Sequence, residues 1–194
     1  MPKFFLSSKL AIETNSQLWQ KKEFEDDYCL QLTANVEEDH VGGKVALIGG
    51  VRRNYSMEAD FKFLGHHLSQ ERAGWFGFVI RAKDLDNYEL IWFMPNAEED
   101  KTVAYLPVAH GVVPWWTEGY ATQEKGNSQI PHDSWFRARV EVVDDEMTLY
   151  IEEKLVFTKK LTYYLTEGRP GLYVGTATDA AFRRITIKDL PSNP

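Results

Sequence analysis

The sequence has a single cysteine, no long apolar run and no excess of positive charge. Cys29 is the only cysteine among 194 residues, so an intrachain disulfide is excluded. No segment approaches the ~20 consecutive apolar residues that a membrane-spanning helix needs. The formal net charge is -7, and nucleic-acid binding requires a basic face. We therefore expect neither a nucleic acid nor a membrane as partner, and a neutral or cationic ligand stays open.

The start of the sequence does not have the pattern of a leader peptide. The first residues, "MPKFFLSSKLAIE", lack the sustained apolar segment of a secretory signal. This pattern favours a cytoplasmic protein, or a secreted one from which a leader has been removed. Cys29 lies in the alternating run "DDYCLQLTA", which predicts a buried strand thiol.

Period-two alternation of apolar and polar residues recurs along most of the chain. "YSMEADFKF" alternates from Tyr55 to Phe63, and "SWFRARVEVV" alternates again after residue 133. Turn signals separate the short runs, and no helical segments lie between them. The pattern predicts an all-β fold, a two-sheet antiparallel jelly-roll sandwich, with residues 1–194 forming one domain.

Three longer stretches resemble the concanavalin A-like lectin/glucanase superfamily. They are "GWFGFVIRAKDLDNYELIWF", "DSWFRARVEVVDDEMTLYIEEKLVF" and "GRPGLYVGTATDAAFRRITI". Within that superfamily they are most similar to the branch of laminin-G-like carbohydrate-binding modules and 3-keto-disaccharide hydrolase domains. The resemblance implies two curved antiparallel sheets, with a saccharide bound on the concave sheet or at its rim. These motifs are structural, so they indicate the fold better than the chemistry.

The segment "AHGVVPWWTEGYATQEKGN", residues 109–127, combines turn residues with aromatic and polar side chains. Gly and Pro mark it as a long connection between strands. Sugar rings stack their C–H faces on aromatic rings, while their hydroxyls need charged or amide partners. We therefore expect this segment to form one rim of a saccharide site, with His110, Trp115, Trp116, Glu118 and Tyr120 as the binding residues. The alternative is that one or both tryptophans plug the edge of the sandwich.

Arg81 is a further candidate for ligand binding. Strict alternation in "WFGFVIRA" would place it on one strand face with Trp75 and Val79. A cation on such an apolar strand needs a carboxylate partner or an anionic ligand. We expect Arg81 to lie on the concave sheet beside one of these.

The catalytic residues cannot be assigned from the sequence. The glucanase branch of the superfamily carries Glu-x-Asp-x-x-Glu on one strand, and "MEADFKF" supplies Glu58 and Asp60 without the last Glu. A glucanase of that type is therefore rejected. An enzyme of the 3-keto-disaccharide hydrolase type stays an alternative, and its acid or base could be His110, Glu118 or Glu89. A sandwich that binds no small ligand is the third reading.

Metal signals are weak as well. "KDLDNYE" places Asp84, Asp86 and Asn87 in one turn, but the Gly and the distal Glu of an EF-hand loop are missing. A plain Asp/Asn turn is the simpler interpretation, with calcium as the alternative. We expect no cofactor and no metal site, and a saccharide or glycoside as the partner.

Overall fold

The computed structural model is built from strands. It describes residues 3–7, 10–24, 27–34, 43–68, 74–96, 102–112, 130–161 and 165–192. The strands are β1 (Lys3–Ser7), β2 (Leu10–Thr14), β3 (Trp19–Phe24), β4 (Asp27–Leu32), β5 (Lys44–Ile48), β6 (Tyr55–His66), β7 (Phe76–Ala82), β8 (Tyr88–Phe93), β9 (Val103–Val108), β10 (Phe136–Val143), β11 (Glu146–Ile151), β12 (Lys154–Lys160), β13 (Arg169–Val174) and β14 (Thr178–Asp189). The described ranges contain no helix long and apolar enough to cross a membrane.

The strands form two seven-stranded antiparallel sheets. Sheet A has the order β1-β2-β5-β13-β7-β8-β9, and sheet B has the order β12-β11-β10-β6-β14-β4-β3. Neighbouring strands such as β13 and β5, or β14 and β4, are far apart in the chain. Long connections as well as hairpins therefore join the strands of each sheet. The predicted all-β jelly-roll sandwich is confirmed.

A phenylalanine cluster fills the space between the sheets. Phe61 of β6 lies at its centre, with Phe78 and Phe93 of sheet A in edge-to-face contact at centroid distances of 4.8 and 5.2 Å. Phe136 and Phe182 of sheet B contact the same ring at 5.6 and 5.2 Å. Such tilted and offset pairs are the favoured arrangements of aromatic rings. This cluster joins the two sheets into one core.

The two sheets differ in how their strands are buried. In β10 of sheet B, buried and half-buried residues alternate along the whole strand, as expected when one face meets water. In β7 and β8 of sheet A, every residue is buried. At β7 and β8 the outer face of sheet A is therefore shielded from water, unlike the outer face of sheet B at β10.

Candidate functional site

The outer face of sheet A carries a second apolar cluster, which we call the aromatic face. Apolar side chains on the side of a sheet away from the core must be covered or must bind a partner. Half-buried Trp75 and Met94 lie at the edge of this cluster. Its buried members are Val45, Leu47, Val79, Ala82, Leu85, Tyr88, Leu90, Trp92, Ala104, Leu106, Val108 and Tyr173.

A β-bulge near the end of β7 changes the orientation of Arg81. Ala82 pairs with Arg169 and Val79 pairs with Gly171, so two residues of β7 lie opposite one residue of β13. Arg81 accordingly has a left-handed backbone with φ of 49°. Ile80 belongs to the core between the sheets, and Ala82 already belongs to the aromatic face. Arg81 is the extra residue, so the structure differs from the strict alternation that would group it with Trp75 and Val79.

The contacts of Arg81 lie toward the sandwich interior. Its side chain is 2% exposed, and its backbone N–H donates to the Tyr55 hydroxyl at 3.1 Å. The Nη1 group donates to the Leu165 carbonyl at 2.9 Å. Gly168 packs directly on the Arg81 backbone, since a Cβ at Gly168 would lie 2.7 Å from Arg81 Cα. Arg81 is thus fixed at one end of the sandwich.

Buried polar groups accompany Arg81 between the sheets. Glu89 is fully buried, and its Oε1 accepts a hydrogen bond from the Tyr105 hydroxyl at 2.7 Å. Burial, and then the adjacent Glu89 carboxylate, raises the pKa of Tyr105 well above its usual value. Burial likewise raises the pKa of Tyr55, although Arg81 opposes this effect. Both phenols stay protonated at neutral pH, and Glu89 faces the core rather than the aromatic face.

A cleft of about 460 Å³ opens at the end of the sandwich where Arg81 lies, and we call it the end cleft. Asp144 at its edge is 3.6 Å from the Arg53 guanidinium, and Asp145 is 2.9 Å from Lys160 Nζ. The cleft is lined by Arg53, Arg81, Asp144, Asp145, Leu161, Leu165 and Thr166.

His110 follows β9 in an exposed turn at the same end of sheet A as Arg81. Its backbone has a left-handed φ of 53°, and its N–H donates to the Asn87 side-chain oxygen at 3.2 Å. Gly111 donates in the same way to the Asp86 carbonyl at 2.8 Å. His110 therefore lies beside the β7–β8 turn, on the solvent side, while Arg81 faces inward. The structure does not bring the two side chains together in one site.

The rest of the predicted rim lies outside the described residues. Trp115, Trp116, Glu118 and Tyr120 all fall between residue 112, the last described after β9, and residue 130. Their role as saccharide contacts stays a prediction.

The outer face of sheet B is polar and occupied by ion pairs. Asp60 is 2.8 Å from Arg137 Nε, 3.3 Å from Arg183 Nε and 3.6 Å from Arg184 Nη1. The Arg183 guanidinium also stacks over the half-buried ring of Trp135 at 4.3 Å. Buried Asp60 and half-buried Glu58, two residues before it, are therefore both paired with arginine.

The acidic turn between β7 and β8 is closed by its own hydrogen bonds. Asp84 Oδ1 accepts from the backbone N–H groups of Asp86 and Asn87 at 2.9 and 2.8 Å, and from the Asn87 side chain at 2.8 Å. This is an Asx turn, the simpler of the two interpretations of "KDLDNYE". Within the described ranges, no group of three or more His, Cys, Asp or Glu side chains is arranged to bind a metal ion.

Sequence reasoning missed the aromatic face because it treated each strand separately. The signal was present in "WFGFVIRA" and "YELIWFM", which are apolar at nearly every position instead of alternating. Continuous apolar runs indicate strands that are buried on both sides. The end cleft had no comparable signal, since its walls come from distant parts of the chain.

The fold is shared with several solved structures. The carbohydrate-binding module CBM66 from Bacillus subtilis matches with a TM-score of 0.65 and 17% identity, over 92% of this chain and 95% of that one. A protein of unknown function with a galectin-like fold from Bacillus subtilis matches with a TM-score of 0.64 and 12% identity, over 94% and 90%. The β-glucanase of Bacillus licheniformis matches with a TM-score of 0.61 and 11% identity, over 95% and 94%.

No protein-family model matches the chain, and no curated protein matches it either. Because the sequence identities are 17% or less, these structural matches indicate the fold and not the activity. Strand order, burial and these matches agree with the resemblance carried by the three sequence stretches. The chain has a two-sheet jelly-roll fold like that of these three structures.

Proposed function

We propose that the protein binds a saccharide at the half-buried edge of the aromatic face of sheet A, beside Trp75. The observation that carries this proposal is the half-buried ring of Trp75 at the edge of the aromatic face, whose other rings, Tyr88, Trp92 and Tyr173, are buried. Aromatic rings on a sheet surface offer the stacking platform that sugar C–H faces need. The resemblance implies that sugars bind on the concave sheet or at its rim, and the similarity of fold to a carbohydrate-binding module supports a carbohydrate-binding role.

Trp75 is the described residue best placed to contact such a ligand. It is half-buried at the edge of the aromatic face, whereas Trp92 is only 7% exposed. Its backbone is fixed by hydrogen bonds, because its N–H donates to the Thr178 hydroxyl at 3.2 Å and its carbonyl accepts from Gly175 at 2.6 Å. His110, Trp115, Trp116, Glu118 and Tyr120 would form the rim that follows β9.

A glycan array identifies the saccharide, and tryptophan variants then locate the site. Trp75→Ala should weaken binding of the best glycan by about fivefold to tenfold, because an aromatic platform contributes on the order of 1 kcal/mol. Trp135→Ala is the matched control, since Trp135 is half-buried on the outer face of the opposite sheet. Calorimetric titration at matched folded fraction measures both affinities.

The rim is tested in the same titration. Trp115→Ala or Trp116→Ala should weaken binding if either ring stacks on the sugar, and should lower stability without changing affinity if it plugs the sandwich edge. The proposal fails if the array gives no ligand, or if Trp75→Ala and Trp135→Ala bind the glycan equally well. Hydrolysis of a 3-keto-glycoside in a parallel assay would favour the enzyme alternative.

A further inference from the structure

The end cleft contains a buried cation whose hydrogen-bonding capacity is only partly used. Arg81 is 2% exposed and lines the cleft, yet among its guanidinium nitrogens only Nη1 has a hydrogen-bond acceptor in the described residues, the backbone carbonyl of Leu165. The Nε and Nη2 groups of Arg81 are buried and make no hydrogen bond to the part of the chain that the structure describes. These two N–H groups form one edge of the guanidinium, the pair of parallel donors that a carboxylate can accept together.

No described carboxylate lies within ion-pair distance of Arg81. Glu89 is buried nearby, and its charge and that of Arg81 both act on Tyr55 and Tyr105, but no ion pair of 4.0 Å or less joins the two side chains. Glu89 therefore does not cover the Nε–Nη2 edge of Arg81. A buried charge in this state is stabilised further by an anion that reaches it.

The other charged groups of the cleft are already paired. Asp144 lies 3.6 Å from Arg53, and Asp145 lies 2.9 Å from Lys160. The hydrogen bond from Lys160 lowers the pKa of Asp145, so this carboxylate stays ionised at neutral pH. Among the described residues that line the cleft, Arg81 is thus the cation that forms no ion pair with a carboxylate.

The remaining walls restrict what kind of anion fits. Leu161 and Leu165 provide an apolar surface, and exposed Thr166 provides a hydroxyl. The Asp144 carboxylate can accept hydrogen bonds from ligand hydroxyls. Asp145, paired with Lys160, adds a second negative charge, so a ligand that carries more than one negative charge is repelled. A singly charged, hydroxylated ligand satisfies all these groups, whereas inorganic phosphate does not.

We propose that the end cleft binds a hydroxylated monocarboxylate, a sugar acid, with the carboxylate on the Nε–Nη2 edge of Arg81. The hydroxyls of the ligand would face Asp144 and Thr166, and its C–H groups would pack on Leu161 and Leu165. This site is separate from the aromatic face, because Arg81 turns toward the interior at the β7 bulge. It does not depend on the saccharide proposal.

Amide NMR with sodium glucuronate as the probe tests this proposal. A saturable shift is expected at the amides of Thr166 and Gly168, because Gly168 packs on the Arg81 backbone and Thr166 lines the cleft. Methyl glucoside, the neutral control, should leave these amides unmoved, and phosphate should bind more weakly than glucuronate. Arg81→Met should weaken glucuronate binding by about tenfold or more, as expected on losing a bidentate charged pair.

Two further variants keep the test decisive if Arg81→Met does not fold. Asp145→Asn removes an exposed negative charge from the mouth of the cleft and should tighten glucuronate binding severalfold. Arg139→Met, on the outer face of sheet B, should bind glucuronate like the wild type. The proposal is overturned if glucuronate and methyl glucoside shift the same amides equally, if phosphate binds more tightly than glucuronate, or if neither Arg81→Met nor Asp145→Asn changes the affinity.

Discussion

Gly168 shows how one residue without a side chain supports the end cleft. Its N–H and carbonyl pair with the backbone of Arg52 at 3.0 and 2.9 Å, while its Cα side faces the backbone of Arg81. A methyl group there would overlap main-chain atoms, which cannot turn aside as a flexible side chain can. The residue therefore allows three chain segments to meet beside the guanidinium.

Gly168→Ala should destabilise the protein by about 1–3 kcal/mol, the usual cost of overpacking a filled site. Gly50→Ala is the matched control, because a Cβ at Gly50 meets no atom within 4 Å and should change stability by only a few tenths of a kcal/mol. Urea denaturation measures both free energies of unfolding. Equal values for the two variants would show that the backbone at Arg81 yields to the added methyl group.

Arg81 also marks the limit of what the sequence could predict at the residue scale. Its burial and its need for an anionic partner follow from a lone cation in an apolar strand, and the structure does bury it. Its direction does not follow, since a bulge adds one residue to β7 and reverses the alternation after it. The segment "FVIRA" contains no glycine or other turn residue that would indicate a bulge.

At the scale of strands, alternation predicted sheet B better than sheet A. The burial of β10 follows the alternation of "FRARVEVV", with arginine and glutamate outward. β7 and β8 are apolar on both sides, and such runs give no indication of which side faces the core. Only the pairing of these strands in the middle of sheet A separates the core residues from the aromatic face.

Because the aromatic face is buried, its residues should behave energetically like core residues. Leu90→Ala in β8 should cost about 2–5 kcal/mol of stability, since Leu90 is fully buried although it points away from the core between the sheets. Leu155→Ala in the edge strand β12 is the control, because Leu155 is 62% exposed and its loss should cost a few tenths of a kcal/mol. Thermal unfolding compares the two. A melting temperature for Leu90→Ala as high as that of Leu155→Ala would mean that this side of sheet A is not a packed surface.

At the scale of the whole molecule, the two sheets depend on each other. Residues that the sequence separates widely lie side by side, as when Ala180 of β14 pairs with Leu32 of β4 and Phe63 of β6. The cluster around Phe61 takes rings from both sheets, so neither sheet has a complete core without the other. The sequence predicted the sandwich because alternation and turn signals are local, whereas the strand order could not be worked out from local patterns.

We propose that residues 1–194 fold as one cooperative unit, because the shared phenylalanine cluster leaves no sheet with a core of its own. Urea unfolding should then give one midpoint, whether it is followed by far-UV circular dichroism or by tryptophan fluorescence. Trp19 packs in the core against Phe182 of sheet B, and Trp92 lies on the aromatic face of sheet A, so fluorescence reports on both sheets. Leu90→Ala, which alters only the far side of sheet A, should move both curves to the same lower midpoint. If the two probes give separate midpoints, or if Leu90→Ala moves one curve and not the other, the sheets unfold independently and residues 1–194 are not one folding unit.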